Sequence, residues 1–501
     1  MKTIANLSEM TEDLKKDFRK AVQESKKISG EALRKAGITQ STGLVAFDLQ
    51  APAKQLFPVL TPLRNKIPRV DGKGGTATNW KAVTGINTLR LRGFVPEGKR
   101  NGKVTTTVVD KNAPYRTLGM EDSVTFEAEE AAQGFEDVRA TTGQRLLWAT
   151  MIEEELAIVG ANRSVALGTP TAPTVSVVDG GGTVADATYN VIVVALTLMG
   201  YNAASLADGV QTEVTVTPAD GGATFAYNAG SSMKSNATNS GAIANGGDSI
   251  IRASTPIVPG AVGYAWYVGT AGNETLEAIT TINSVELTAL TGTGQNASAV
   301  TADKSVNTLG YDGFLYHAWA SGSGARIVNL ATGTPGAGTT LTADGSGGIN
   351  EVNDMFEYFW ENLKLSPTYI YCNSQEISTV TNLVLSGTSK AYIPYVSSGD
   401  FASGLRIKSL LNRFAMGGSV EVPIDVHPDL PPGTMLFETE TLPYPVNGLE
   451  NVREMKLRRD YYQMEWPLRT REYESGVYCD GTFVHYFPAS LGILTNIAPQ
   501  P

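Results

Sequence analysis

The stretch nearest to a reactive signature is Gly93–Arg100, GFVPEGKR, with the G-x-x-x-x-G-K spacing of a loop whose backbone amides cradle phosphate. Arg100 stands where the Mg²⁺-holding hydroxyl belongs, and Pro96 stiffens a loop whose amides must turn inward. No buried strand is legible before it and no apolar helix after it, so the match reads as chance. GSGARI after Ser321 lacks the third glycine of a dinucleotide fingerprint. Cys372 and Cys479 lie far apart at no metal-ligand or redox spacing, which predicts two reduced, buried thiols. His317, His427 and His485 are too scattered for a zinc site. Asp429 and Glu438 could be imagined as glycosidase acids, yet nothing in their spacing supports that chemistry. No G-x-S-x-G, HExxH, CxxC or D-x-D-x-D-G pattern occurs. The residues therefore predict no enzyme, no cofactor and no metal.

What the elements must do instead follows from composition. Of 501 residues, 42% are hydrophobic, only 18% are charged and 52 are glycine, which suits β-rich structure with many tight turns over two or three domains. A formal net charge of -10 repels nucleic acid on average and argues against sequence-specific binding. Residues 1–20 are charged and lack a signal-peptide core, and no apolar run is long enough for a bilayer. A soluble protein that stays in the cell making it, with no membrane contact, is expected.

Leu7, Met10, Leu14, Phe18 and Val22 recur at helical spacing behind a possible Asn6–Glu9 cap. The stripe is one residue wide per turn, so this segment reads as an arm that needs a partner. From Phe57 to Leu118 the text is extended. Pro58, Pro62 and Pro68 exclude helix, and Thr88–Val109 reads as a long hairpin with an irregular tip. Between Trp80 and Leu118, eight cations (Lys81, Arg90, Arg92, Lys99, Arg100, Lys103, Lys111, Arg116) face two acids, Glu97 and Asp110. Such a positive excursion in an acidic chain suits either an arm lying across an acidic neighbour or a solvated loop.

Val124 to Val159 carries the longest helical pattern, with Phe135, Val138, Thr142, Leu146, Ala149, Ile152, Leu156 and Val159 stepping by three or four. Glu127, Glu129, Glu130, Glu136 and Asp137 crowd its first half, where the helix dipole favours them. A bend is expected at Gly134 or Gly143. After Leu167 short strands follow at Thr188–Leu198, Thr212–Thr217, Gly263–Val268, Glu277–Ile282 and Val285–Leu290, without helical periodicity. Nine acids against two bases between Val165 and Thr301 make this stretch net -7, so most of the chain's acidity sits in what reads as a separate, outward-facing β-sandwich. Val352, Met355, Phe356, Phe359, Trp360 and Leu363 then mark an amphipathic helix. TYIYC, Glu376–Leu385 and SVEVPIDVHP read as strand, helix and strand. TMLFET, EMKLRRDYYQMEWPL and REYESGVYCDGTFVHYF read as a closing sheet on the long helix.

That order of parts, with LGYDGFLYHAWASGSGARIVNL and INEVNDMFEYFWENLKLSPTYIYCNSQEISTV, resembles the HK97-fold major capsid proteins of tailed double-stranded DNA phages. The resemblance spans about Ala51 to Ala498 apart from 168–305, whose PTAPTVSVV and GYAWYVGT look like immunoglobulin or fibronectin type III modules. It implies an α+β fold with an N-terminal arm (1–50), an extended loop and the start of a peripheral domain (51–120), and a spine helix (121–167). An inserted sandwich (168–305), an axial domain (306–440) and a closing peripheral sheet (441–501) would follow. It further implies a structural protein of the virion, assembled in the host cytoplasm as pentamers and hexamers of a closed head. Scaffold, portal and decoration proteins, and packaged DNA held without sequence specificity, would be its partners. Subunit contacts would fall on Arg90, Arg92, Lys99, Arg100, Lys103, Glu130, Glu136 and Asp137. Excising 168–305 would then leave assembly possible. A tail-fibre or adhesin β-module and a carbohydrate-active enzyme are the rival readings.

Overall fold

The computed structural model describes residues 56–86, 93–133, 136–386, 406–415, 420–444 and 448–499. The chain divides into two compact units, residues 1–57 with 130–137, and residues 58–129 with 138–501. The expected arm helix lies outside the described residues, as do Arg90 and Arg92.

The second unit begins with a short helix, α1 (Pro62–Lys66), and a short strand, β1 (Arg69–Asp71). Pro62 was expected to exclude helix but starts one, because the first helical turn needs no amide there. Next come β2 (Ala77–Ile86), β3 (Thr106–Pro114), β4 (Arg116–Thr125), α2 (Phe126–Ala132) and α3 (Val138–Gly160). The long helical pattern is thus shorter than expected. Val124 and Thr125 belong to β4, the interruption falls between Ala132 and Val138, and α3 runs straight through Gly143. The pattern's Phe135 lies outside the described residues.

A β-rich stretch follows: β5 (Thr174–Val184), β6 (Thr188–Leu196), α4 (Leu198–Ala203), β7 (Glu213–Val216), β8 (Phe225–Asn228), β9 (Thr238–Ala242), β10 (Ser249–Ser254), β11 (Gly263–Gly269), β12 (Thr275–Thr280) and β13 (Ser284–Leu287). The remainder comprises α5 (Phe314–Trp319), β14 (Arg326–Asn329), α6 (Asn350–Tyr358) with a π-helical turn at Phe359–Leu363, β15 (Tyr369–Cys372), α7 (Ser374–Ser386), β16 (Ser409–Asn412), β17 (Val420–Val426), β18 (Met435–Glu438), β19 (Arg453–Glu465), β20 (Glu472–His485) and β21 (Gly492–Thr495).

These strands make an α+β arrangement. One sheet runs β1–β19–β20–β4, with β1 parallel to β19 and the other pairs antiparallel. The spine helix α3 packs across β4 and β20, and Ile158 of α3 shares a core with Phe314, Met455, Leu457 and Phe483. A six-stranded mixed sheet runs β14–β21–β18–β15–β17–β16 and is covered by Phe356 and Phe359. Two expectations change here. TMLFET (β18) and the C-terminal β21 belong to this sheet, so it is built from both sides of the proposed 440/441 boundary.

The β-rich stretch forms two antiparallel sheets around one core, β13–β10–β5 and β12–β11–β6–β9, and a separate two-stranded antiparallel ribbon, β7–β8. Trp266 and Tyr264 fill that core, and Ile251, Ala253 and Val285 meet them from the other sheet. Tyr267, one residue on, points to the opposite face with Val194 and Leu196, as strand alternation requires. The stretch is not a detached module. Leu198 and Val262 are wholly or nearly buried in the same core as the spine helix. The Tyr316 hydroxyl donates to the Gly260 carbonyl at 3.0 Å and accepts from the Leu198 amide at 3.3 Å.

Candidate functional site

The hairpin β2–β3 is held at its base and bare toward its tip. At the base, Trp80 meets Tyr486 edge to face at 5.3 Å, and Ala113 and Tyr115 are buried. Farther out, Thr106 to Asp110 of β3 are all exposed. Val83, Ile86, Val108 and Val109 lie open to solvent, and Val83 stands directly opposite Val108. Among the described residues, β2 reaches Ile86 and β3 runs from Thr106 to Pro114, past the expected end at Val109, while residues 87–92 of the expected Thr88–Val109 hairpin lie outside them.

At the tip, the Lys99 amide donates to the Pro96 carbonyl at 3.1 Å, and Gly98 takes φ 72°, the left-handed conformation that a turn there demands. Phe94 is 98% exposed. Lys99, Arg100 and Lys103 are exposed on the same loop, facing solvent with only Glu97 to offset them. Among the described residues, the P-loop spacing lies on an exposed loop with no helix directly after it. Of the other expected contact residues, Glu130 and Asp137 are exposed and Glu136 is half-buried. They lie in the segment 130–137, which clusters apart from the hairpin's unit.

A second constellation was not anticipated. Glu154 and Glu155 of α3 are completely buried. Glu155 accepts from the amides of Leu63 at 2.9 Å and Arg64 at 2.6 Å, the open amides at the start of α1. His427 Nδ1 accepts from the Asp429 amide at 3.2 Å, so Nε2 carries the proton and donates to Glu155 at 2.6 Å. Glu154 accepts from Arg64 Nε at 2.9 Å, from Arg69 Nη1 at 2.8 Å and from the Tyr461 hydroxyl. Arg69 continues to Asp460 at 2.7 Å. Burying a lone carboxylate costs several kcal/mol. Here each has a full set of donors, so the pair bolts α1, β1, β19 and His427, just past the end of β17, to the spine.

The apolar stripe missed these glutamates because the face they occupy is polar by design of its neighbours. A legible signal did exist. Three consecutive acids sit near the C-terminal end of a helix, where the dipole disfavours them unless cations answer. Four residues of the expected stripe, Val138, Ala149, Ile152 and Leu156, are only half-buried.

The residues first tested for chemistry are arranged for structure. Cys372 and Cys479 are buried free thiols, and burial pushes each up to about 12. Asp429 sits beside His427, whereas Glu438 pairs with Arg453. His317 and His485 lie near Phe314 and Phe483 with their ring centroids 6.2 Å apart and their planes tilted by 41°, and burial lowers both below the usual imidazole range. Among the described residues, no cluster of His, Cys, Asp or Glu could hold a metal and no helix is long and apolar enough to cross a membrane.

No protein-family model matches the chain, and no curated protein does. Solved structures similar to it include the capsid of a native GTA particle, 9% identical with a TM-score of 0.42 over 92% of this chain and 99% of that one. The capsid asymmetric unit of cyanophage A-1(L) is 10% identical with a TM-score of 0.44, again over 92% and 99%. The holo-SrpI encapsulin complex from Synechococcus elongatus PCC 7942 is 7% identical with a TM-score of 0.39, over 90% and 93%. At identities this low the likeness concerns the fold alone, and function has to come from the chain's own residues.

Proposed function

We propose that this chain is the repeating tile of a phage head, a major capsid protein of HK97-like fold that encloses double-stranded DNA in an icosahedral shell. One observation carries the reading. A two-stranded hairpin is marginal in water on its own. This one holds ten-residue and nine-residue strands, β2 and β3, with valines, an isoleucine and a phenylalanine bare toward its tip. Its order is explained when another copy supplies the missing layer. The bolted spine fits the same role, because a tile that transmits force between neighbours needs its strands and helix locked together.

In this reading the hairpin lies across an adjacent subunit, the six-stranded sheet region gathers around five- and six-fold axes, and the immunoglobulin-like β-stretch braces the spine. DNA is enclosed rather than gripped, which suits a net charge of -10. Scaffold, portal and decoration proteins would be further partners, and the virion formed in the host cytoplasm its place. The adhesin and carbohydrate-enzyme readings leave the bare hairpin without a purpose.

The test reverses Lys99, Arg100 and Lys103 to Glu together. All three are exposed, so the subunit's own unfolding midpoint should hold. Like-charge contacts across an interface cost several kcal/mol, so the yield of closed particles by sedimentation should fall roughly tenfold or more. Unchanged particle yield would refute the hairpin's role.

A further inference from the structure

The half-covered side of the spine helix opens on a cleft of about 300 Å³. Its walls come from three places: Leu156 on α3, Met199 and Ala203 on α4, and Val214 and Tyr227 on the β7–β8 ribbon. They are mainly apolar, and Glu153 is the one charged residue among them. Burial, with the nearby charge of Asp429, raises Glu153 above the usual carboxylate range. No described cation forms an ion pair with it.

Leu156 belongs to the apolar stripe of the helix, and apolar stripes are normally covered. Here the β-stretch walls the site without filling it. The same molecule carries a counterpart in search of cover. Phe94 is 98% exposed at the hairpin tip, Val95 and Val104 beside it are exposed, and Lys99, Arg100 and Lys103 flank them. An aromatic anchor ringed by cations matches an apolar cleft edged by the Glu153 carboxylate, in shape and in sign.

We propose that this cleft is the socket for the hairpin tip of a second copy, with Phe94 entering against Leu156 and Tyr227 and the tip cations facing Glu153 and Asp429. The inference rests on the shell reading above and adds the recipient site. It also gives the β-stretch a task in assembly, because α4 and β7–β8 supply most of the apolar wall.

The experiment uses the unmodified full chain. Particles assembled from mixed ¹⁴N and ¹⁵N subunits are treated with a zero-length carbodiimide and their linked peptides sequenced. Mixed-isotope links from Lys99 or Lys103 to Glu153 or Asp429 are expected. In Phe94→Ala particles these links should fall about tenfold, the scale of losing an aromatic anchor. Intact particles whose tip lysines link only to other acids would overturn the socket and leave the shell reading standing. Links to Glu153 or Asp429 of single isotope composition only, with no mixed ones, would overturn it too, by showing the tip in its own subunit. Failure to form particles at all would overturn the shell reading, and the socket with it.

Discussion

Glu155 shows how much one side chain can hold. Its carboxylate answers two amides of α1 and the His427 ring with no solvent access. Removing one partner of such a buried set leaves the others uncompensated, so Glu155→Ala should destabilise the subunit by about 3–5 kcal/mol in chemical denaturation. A loss within the range of surface substitutions, about 0.5 kcal/mol, would contradict the bolt. Glu376 acts through protons instead. It is buried at the start of α7, accepts from the Gly433 amide at 2.6 Å, and burial raises it to about 7. The folded state therefore holds this proton more tightly than the unfolded chain does. Its contribution is complete below the ordinary value of 4.5 and lost as pH rises through 7. Glu376→Gln keeps the acceptor and removes the titration, so it should abolish a loss on the order of 3 kcal/mol between pH 5 and 8. His485, lowered by burial, has the opposite sign: the unfolded chain takes up its proton as pH falls below about 6.5, so acid destabilises through it. His485→Gln measured beside Glu376→Gln separates the two. Beyond the three consecutive acids near the end of α3, these roles were not legible from residue types, because a buried carboxylate and an exposed one read alike until distant partners such as Leu63 and His427, 92 and 272 residues from Glu155, are known.

Elements were more legible than sites. The expected strand Gly263–Val268 and the expected helix over Val352–Leu363 form as β11 and as α6 with its π-helical turn, whereas the strand expected over Thr188–Leu198 stops at Leu196 and Leu198 opens α4. Sheet membership was not legible. β21 joins β14 and β18 through pairings that no local pattern encodes, and β18 leaves the closing sheet it was expected to enter. The β-rich stretch is the sharpest revision. Its composition suggested a detachable module, yet Leu198 and Val262 complete the core of the spine helix, and the Asn283 amide donates to Asn496 Oδ1 at 2.8 Å. Deleting 168–305 would uncover Ile158 and Tyr316 and leave Asn496 without that partner. Insoluble protein, or a loss of the cooperative unfolding transition, is the expected outcome, checked by solubility and thermal unfolding of the deletion beside the full chain. A soluble deletion that still forms particles would restore the modular reading.

At the scale of the whole molecule, the account turns on where the free energy of the hairpin is realised. Inside one copy, β2–β3 exposes Val83, Ile86, Val108 and Val109 along its outer length. Between copies, the same residues become interface, and small contacts summed over a closed symmetric assembly become a stable shell. The most direct test is electron microscopy and sedimentation of the purified full chain over a range of ionic strength and concentration. Closed particles of uniform diameter, built from many copies, are the predicted result. A compact monomer under every condition, with the hairpin strands still ordered, would contradict the account.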